Sequence, residues 1–112
     1  MIRATTALRV SALIRRIEAE GGFATVIAKG DDTAGSLLLL LLDKGRNPRL
    51  FEPLLGISGG YEWREIPFQD TDKSEETGDL VERRRRRDPD LWVVELDIPH
   101  PERFVDGTTG SI

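Results

Sequence analysis

The chain has 112 residues, 38% apolar and 32% charged, the make-up of one ordinary globular domain with a single core, which argues against global disorder. Its 16 basic residues are outnumbered by 20 acidic ones, so the overall field repels a phosphate backbone and nucleic-acid binding would need a local patch. There is no cysteine, which excludes disulfides, thiolate nucleophiles and thiolate metal sites and points to a reducing, cytoplasmic location.

Val10, Leu13, Ile14 and Ile17 recur at helical spacing with Arg9, Arg16 and Glu20 opposite them, predicting an amphipathic helix capped by Thr5 or Thr6 and ended by Gly21-Gly22. Arg9, Glu18 and Glu20 are wrong for a secretory or organellar leader. The longest apolar run, Leu37 to Leu42, is far too short to span a bilayer. Phe23 to Lys29 is β-rich, and the turn-forming stretch Gly30 to Gly35 predicts a hairpin into that leucine run, which reads as a central strand.

A second turn at Lys44 to Pro48 leads to a strand over Arg49 to Leu55, where Pro53 marks a strand end or an edge. A third turn, Gly56 to Gly60, precedes a strand over Tyr61 to Phe68; Tyr61 and Trp63 share one parity, Ile66 and Phe68 the other, which predicts a bulge between them. Pro67 again points to an edge. Ser74 starts a second helix that runs to about Arg87 and is stopped by Asp88-Pro89-Asp90. Trp92, Val94, Leu96 and Ile98 then alternate along a last strand, Leu91 to Ile98. The order α-β-β-β-β-α-β gives an α+β fold, a mostly antiparallel five-stranded sheet with helices packed on it, as one domain over residues 1–106 with a flexible tail at 107–112.

In Val10 to Ala19 and on through Gly21-Gly22-Phe23-Ala24, and again in Glu82-Arg83-Arg84-Arg85-Arg86 with Asp88-Pro89-Asp90-Leu91-Trp92-Val93-Val94-Glu95, the chain resembles the small bacterial domain-of-unknown-function family numbered 1491. The resemblance spans most of the chain and implies a small stand-alone bacterial protein. It implies no activity, ligand or catalytic residue.

Five consecutive arginines, Arg83 to Arg87, sweep past a full helical turn at about 100° per residue, so they cannot share one solvent face. Continuing the stripe Thr77, Leu80, Val81 lands on Arg84, whose stem is expected to lie on the sheet. An ordinary solvated helix end favoured by the macrodipole accounts for the run. The sharper account is a site for a phosphate, a carboxylate or an acidic partner segment, built from Arg83, Arg84 and Arg87 with Arg64 if the fourth strand lies nearby.

The six leucines point to both faces of the sheet. Either the two helices lie on opposite faces, or one face packs against a second copy. The second helix offers only Leu80 and Val81 as firm apolar contacts, which favours a homodimer with Leu37, Leu39 and Leu41 in its interface.

The remaining features weigh less. The glycine clusters at 30–35 and 56–60 lack phosphate-loop spacing and open no predicted helix. His100, the one histidine, could serve as a base with Asp97 or Glu102, but flanking prolines place it in an exposed segment, and no catalytic set is assigned. One histidine and no cysteine leave carboxylates alone for a metal, and Asp70 to Asp79 does not follow a calcium-loop pattern, so neither metal nor cofactor is expected. Tyr61, Trp63 and Trp92 read as packing aromatics rather than a stacking platform. These readings converge on a cytoplasmic, non-enzymatic protein acting by protein contact, with an enzyme or binder for a small anionic ligand as the competing class.

Overall fold

The computed structural model describes residues 5–55, 61–67 and 73–105, with the backbone alone at 54–55, 61–62 and 73–76. Thr5 is the residue that caps the first helix, α1 (Thr6–Ala19), accepting from the Leu8 N–H at 3.2 Å. The helix ends where Gly21 takes a positive φ of 86°, a conformation that suits glycine. Five strands follow around a second helix: β1 (Phe23–Ala28), β2 (Leu37–Asp43), β3 (Arg46–Leu55), β4 (Tyr61–Ile66), α2 (Lys73–Arg87) and β5 (Trp92–Asp97), then a short 3-10 helix at Pro101–Phe104.

The α+β architecture matches the sequence reading, but the sheet is mixed. Its strand order is β1-β5-β2-β3-β4, with β5 parallel to β2 and the other neighbours antiparallel. The expected hairpin between β1 and β2 is therefore not formed, because β5 lies between them. The stretch Gly30 to Gly35 is instead a connection clamped to the start of β5. Asp31 N–H donates to Asp90 O at 3.0 Å, and the Trp92 indole donates to Asp31 O at 2.7 Å. Thr6 ties the same loop to α1, its hydroxyl donating to Gly35 O at 2.7 Å. Glycine is needed here for close approach: a Cβ at Gly30 would lie 2.0 Å from Asp90 O.

The turn after β2 is tighter than expected, because Lys44 and Gly45 both take positive φ and make a two-residue hairpin that brings Arg46 opposite Asp43. Pro53 lies inside β3 rather than at its end. It is tolerated because the pairs with β2 stop at Phe51, and Pro53 meets only Trp63 of β4. No bulge separates Trp63 from Ile66: the register with β3 runs unbroken from Ile66 to Tyr61. The change of parity has another cause, since both faces of the sheet are covered, Trp63 packing with the cluster under α1 and Ile66 with the one under α2. Gly56 to Gly60, Phe68 and the tail 107–112 lie outside the described residues.

The two faces also decide the fate of the leucines. Val10, Leu13 and Ile17 of α1 cover Leu37, Leu39 and Leu41, which are 3%, 0% and 0% exposed within this one chain. The opposite parity, Leu38 with Leu50 and Val93, lies under Leu80 and Val81 of α2. Of the two arrangements open to the sequence, the helices adopt opposite faces, so Leu37, Leu39 and Leu41 have no surface left to offer a second copy. Of the run, only Leu40 and Leu42 are half-buried, and Leu40 packs against the Leu38 cluster.

Candidate anion-binding site on the second helix

Arg64 and Arg84 do meet, and they meet on a carboxylate of the chain itself. Antiparallel pairing of β3 with β4 sets Glu52 directly opposite Arg64. Arg84 reaches the same group from α2, which packs over β3, its Nη1 2.8 Å from Glu52 Oε2. Arg64 Nη2 donates to the other oxygen, Oε1. The Glu52 side chain is 13% exposed and Oε2 is shielded from solvent, with Arg84 as its ion-pair partner. Burial alone would raise this carboxyl's pKa; the hydrogen bond from Arg64 and the adjoining guanidinium of Arg84, with the positive charge of both, outweigh it and hold it below the ordinary carboxylate value.

The helical phase divides the five arginines as a periodic row must. Arg84 lies along the inner stripe, as expected. Arg85 points sideways and ties the end of β1 to the segment that leads into β5: its Nε donates to Leu91 O at 3.2 Å, and its Nη2 to Lys29 O and Pro89 O at 3.0 Å each. Arg86 reaches back to Glu82 at 3.6 Å. Arg83 and Arg87 stand exposed, one helical turn apart. Of the four residues predicted for an anion site, two are thus brought together around Glu52 and two flank them outside.

Sequence reasoning missed Glu52 and Arg85. Glu52 could have been found from the cross-strand position of Arg64 once the hairpin register was known. Arg85 left no such trace, because its acceptors are backbone carbonyls. On the other face of the sheet Arg49 makes a bidentate pair with Glu65, at 3.0 and 2.9 Å, that raises the Arg49 pKa, and it lies 5.2 Å from the Phe51 ring.

His100 takes no part. It follows the C-terminal end of β5, while Arg85 grips the residues before that strand, so the strand's length, about 20 Å, separates them. Its side chain is 81% exposed, 3.8 Å from Glu102, and Asp97 accepts from the Gly45 N–H instead. Trp63 and Trp92 are separated by two intervening strands, β2 and β3, and do not form a platform. The described residues hold no cluster of three or more metal-ligating side chains. Two hollows among the described residues lie at the β2–β3 turn beside Asp43, Lys44 and Arg46, and between α1 and β2 beside Arg9, Leu13, Arg16 and Leu37.

The family model for a protein of unknown function, DUF1491, matches residues 4–106. The chain belongs to the DUF1491 family. Solved structures similar to this DUF1491 chain include a crystal structure of a family protein from Caulobacter crescentus CB15, 39% identical over 83% of this chain and 86% of that one, with a TM-score of 0.72. An NMR structure of a DUF1491 family protein from the same organism is 36% identical over 94% of each chain, with a TM-score of 0.76. The solution structure of protein Atu0922 from A. tumefaciens is 31% identical over 90% of this chain and 91% of that one, with a TM-score of 0.72. No curated protein matches the chain. No helix among the described residues of the DUF1491 chain is long and apolar enough to cross a membrane.

Proposed function

We propose that this DUF1491 member is a cytoplasmic, non-enzymatic protein that works by contact, both with a second copy of itself and with an acidic segment of a partner protein received on the C-terminal turns of α2. The observation that supports the acidic partner is the row of guanidinium groups there. Arg83 and Arg87 are exposed, and none of the ion pairs among the described residues engages them. Arg84 and Arg64 stay 39% and 61% exposed although both hold Glu52. A guanidinium has five donors and one carboxylate uses few of them, so the outward N–H groups of Arg64 and Arg84 can join Arg83 and Arg87 in holding further carboxylates. The helix dipole favours cations at this end and opposes an incoming anion, so affinity is expected to be modest and strongly salt-dependent.

A small phosphate or carboxylate ligand, bound or turned over, is the second reading, favoured by the convergence of Arg64 and Arg84. It would have to displace Glu52, and His100 lies too far off to assist. The two separate in one titration. Fluorescence anisotropy of a labelled Asp/Glu-rich peptide should show binding that weakens with salt and falls at least tenfold in Arg83→Glu/Arg87→Glu. Equal binding by that variant would overturn the acidic-partner reading. Competition by inorganic phosphate, strengthened by Glu52→Gln, would support the small-anion one.

A further inference from the structure

Among the large apolar side chains that stand well exposed in the described residues, Phe23 (74%), Val26 (39%) and Ile27 (50%) share one strand, β1. β1 is an edge of the sheet, paired on one side only, with β5. Natural edge strands are blunted by charge, proline, bulges or brevity. From Phe23 to Ala28 β1 has neither charge nor proline, and its one bulge falls at its far end, between Val26 and Ala28. The opposite edge is guarded in the expected way, with Glu62, Arg64 and Glu65 in β4 and Pro67 after it.

The direction of the free backbone groups follows from the ladder. Trp92 N–H donates to Ser36 O and Ile98 N–H to Leu42 O, so the even-numbered residues of β5 turn their backbone groups to β2. Glu95 and Asp97 therefore face β1, opposite Thr25 and Phe23. By alternation the N–H and C=O of Ala24 and Val26 point to the open side.

The geometry points to β1 as the surface that joins two copies of this chain, as antiparallel strands about a two-fold axis at Thr25 that fuses the two sheets into one. This rests on the self-association in the proposed function and replaces the leucine surface that α1 covers.

The strand is complementary to itself in that register. Ala24 of one copy exchanges N–H···O bonds with Val26 of the second, and Val26 with Ala24, using the outward groups. Phe23 falls opposite Ile27, the residue left unpaired at the bulge, which brings exposed apolar side chains of the two copies together, and Thr25 meets Thr25. Aromatic with β-branched and threonine with threonine are favourable cross-strand pairs. Charge agrees: the strand runs between Glu20 and Lys29, and antiparallel pairing brings Lys29 of one copy beside Gly21 and Glu20 of the other. Covering Phe23, Val26 and Ile27 in both copies removes on the order of 600 Å² of apolar surface. With the strand backbones the contact approaches about 1,000 Å², the lower limit for a specific interface, so the dimer should dissociate on dilution.

The chain lacks cysteine, which makes a single introduced thiol diagnostic. At the axis the two Thr25 residues form a non-hydrogen-bonded pair, with Cα atoms about 4.5 Å apart and within disulfide reach. Mild oxidation of Thr25→Cys should give a covalent dimer, whereas Ser11→Cys, on the exposed side of α1, should not. By sedimentation equilibrium the unmodified chain should show a reversible dimer. Thr25→Lys should weaken it at least tenfold by setting two ammonium groups together, with unchanged circular dichroism because Thr25 is exposed in the single chain. A monomer at every concentration would overturn both the dimer and the self-association on which it rests. A dimer indifferent to Thr25→Lys and not crosslinked through Thr25→Cys would overturn the β1 surface alone. A chain that stays monomeric while Thr25→Cys crosslinks to another protein of its host would overturn the second copy as occupant.

Discussion

Arg84→Ala removes one of the two guanidinium groups that hold Glu52. The side chain of Glu52 is 13% exposed, and its Oε2, shielded from water, has Arg84 at 2.8 Å. Leaving a buried charged oxygen without its ion-pair partner costs about 1–3 kcal/mol, and the partial exposure of Arg84 together with the surviving bond from Arg64 puts the expected loss near the middle of that range, about 2 kcal/mol. In a domain of this size that is a fall of roughly 10 °C in Tm. Arg64→Ala should cost less, about 1 kcal/mol or below, because Arg64 is the more exposed partner. Arg83→Ala and Arg87→Ala should stay within about 0.5 kcal/mol.

The pH dependence sharpens the test. The folded pKa of Glu52 lies below its unfolded value, so its contribution is fully present above the unfolded carboxylate pKa and is lost as pH falls through the folded one. In Arg84→Ala the effect of burial is less opposed and the folded pKa rises, so the loss begins at higher pH. The stability difference between the two proteins should therefore shrink as Glu52 is protonated in both. Urea unfolding followed by tryptophan fluorescence, from about pH 7 to about pH 3, measures this. A gap that does not narrow with acid, or an Arg84→Ala no less stable than Arg83→Ala, would refute the role given to Glu52.

Other substitutions probe the parts that place the site. Arg85→Ala should cost about 2–3 kcal/mol, since the carbonyls of Lys29 at the end of β1 and of Pro89 and Leu91 ahead of β5 lose their donor; thermal unfolding reads it, and a change below about 0.5 kcal/mol would count against the clamp. Gly30→Ala should destabilise by more than about 3 kcal/mol or detach the connection, seen as a shift in Trp92 emission, because its Cβ would lie 2.0 Å from Asp90 O. Leu39→Ala should cost about 3–4 kcal/mol while leaving the dimer constant unchanged, since Leu39 is 0% exposed beneath α1.

The elements were legible because each obeys a local rule. Thr5, the Val10 to Ile17 stripe and Gly21 bound α1, and the alternation from Trp92 to Ile98 marks β5. Strand order was not legible, because a turn-rich stretch such as Gly30 to Gly35 looks the same whether it closes a hairpin or bridges over an inserted strand; what decides is the long-range clamp to Asp90 and Trp92. The leucine run announced two buried faces but not what buries them. Two apolar residues of α2, Leu80 and Val81, are enough because the cluster they pack against includes apolar residues of β2, β3, β4 and β5 that also cover one another. At the site, the convergence of Arg64 with Arg84 was anticipated and its target was not. That Glu52 lies opposite Arg64 depends on a register which the sequence leaves open.

An arginine run on a helix does several jobs at once because neighbouring residues differ by about 100° in direction. Arg84 is spent inward on Glu52 and Arg85 sideways on three carbonyls, both in service of the fold. Arg83 and Arg87 then need serve no structural end, and a change there can alter binding without altering stability. The two proposed contacts use different residues: the acidic-partner surface would use Arg83 and Arg87 of α2, and self-pairing the open edge of β1. Charge reversal at Arg83 and Arg87 should therefore leave the dimer constant untouched, and Thr25→Lys should leave peptide binding untouched. A variant at either place that shifts both measurements would mean that the two contacts are coupled, with the dimer itself completing the surface that receives the acidic segment.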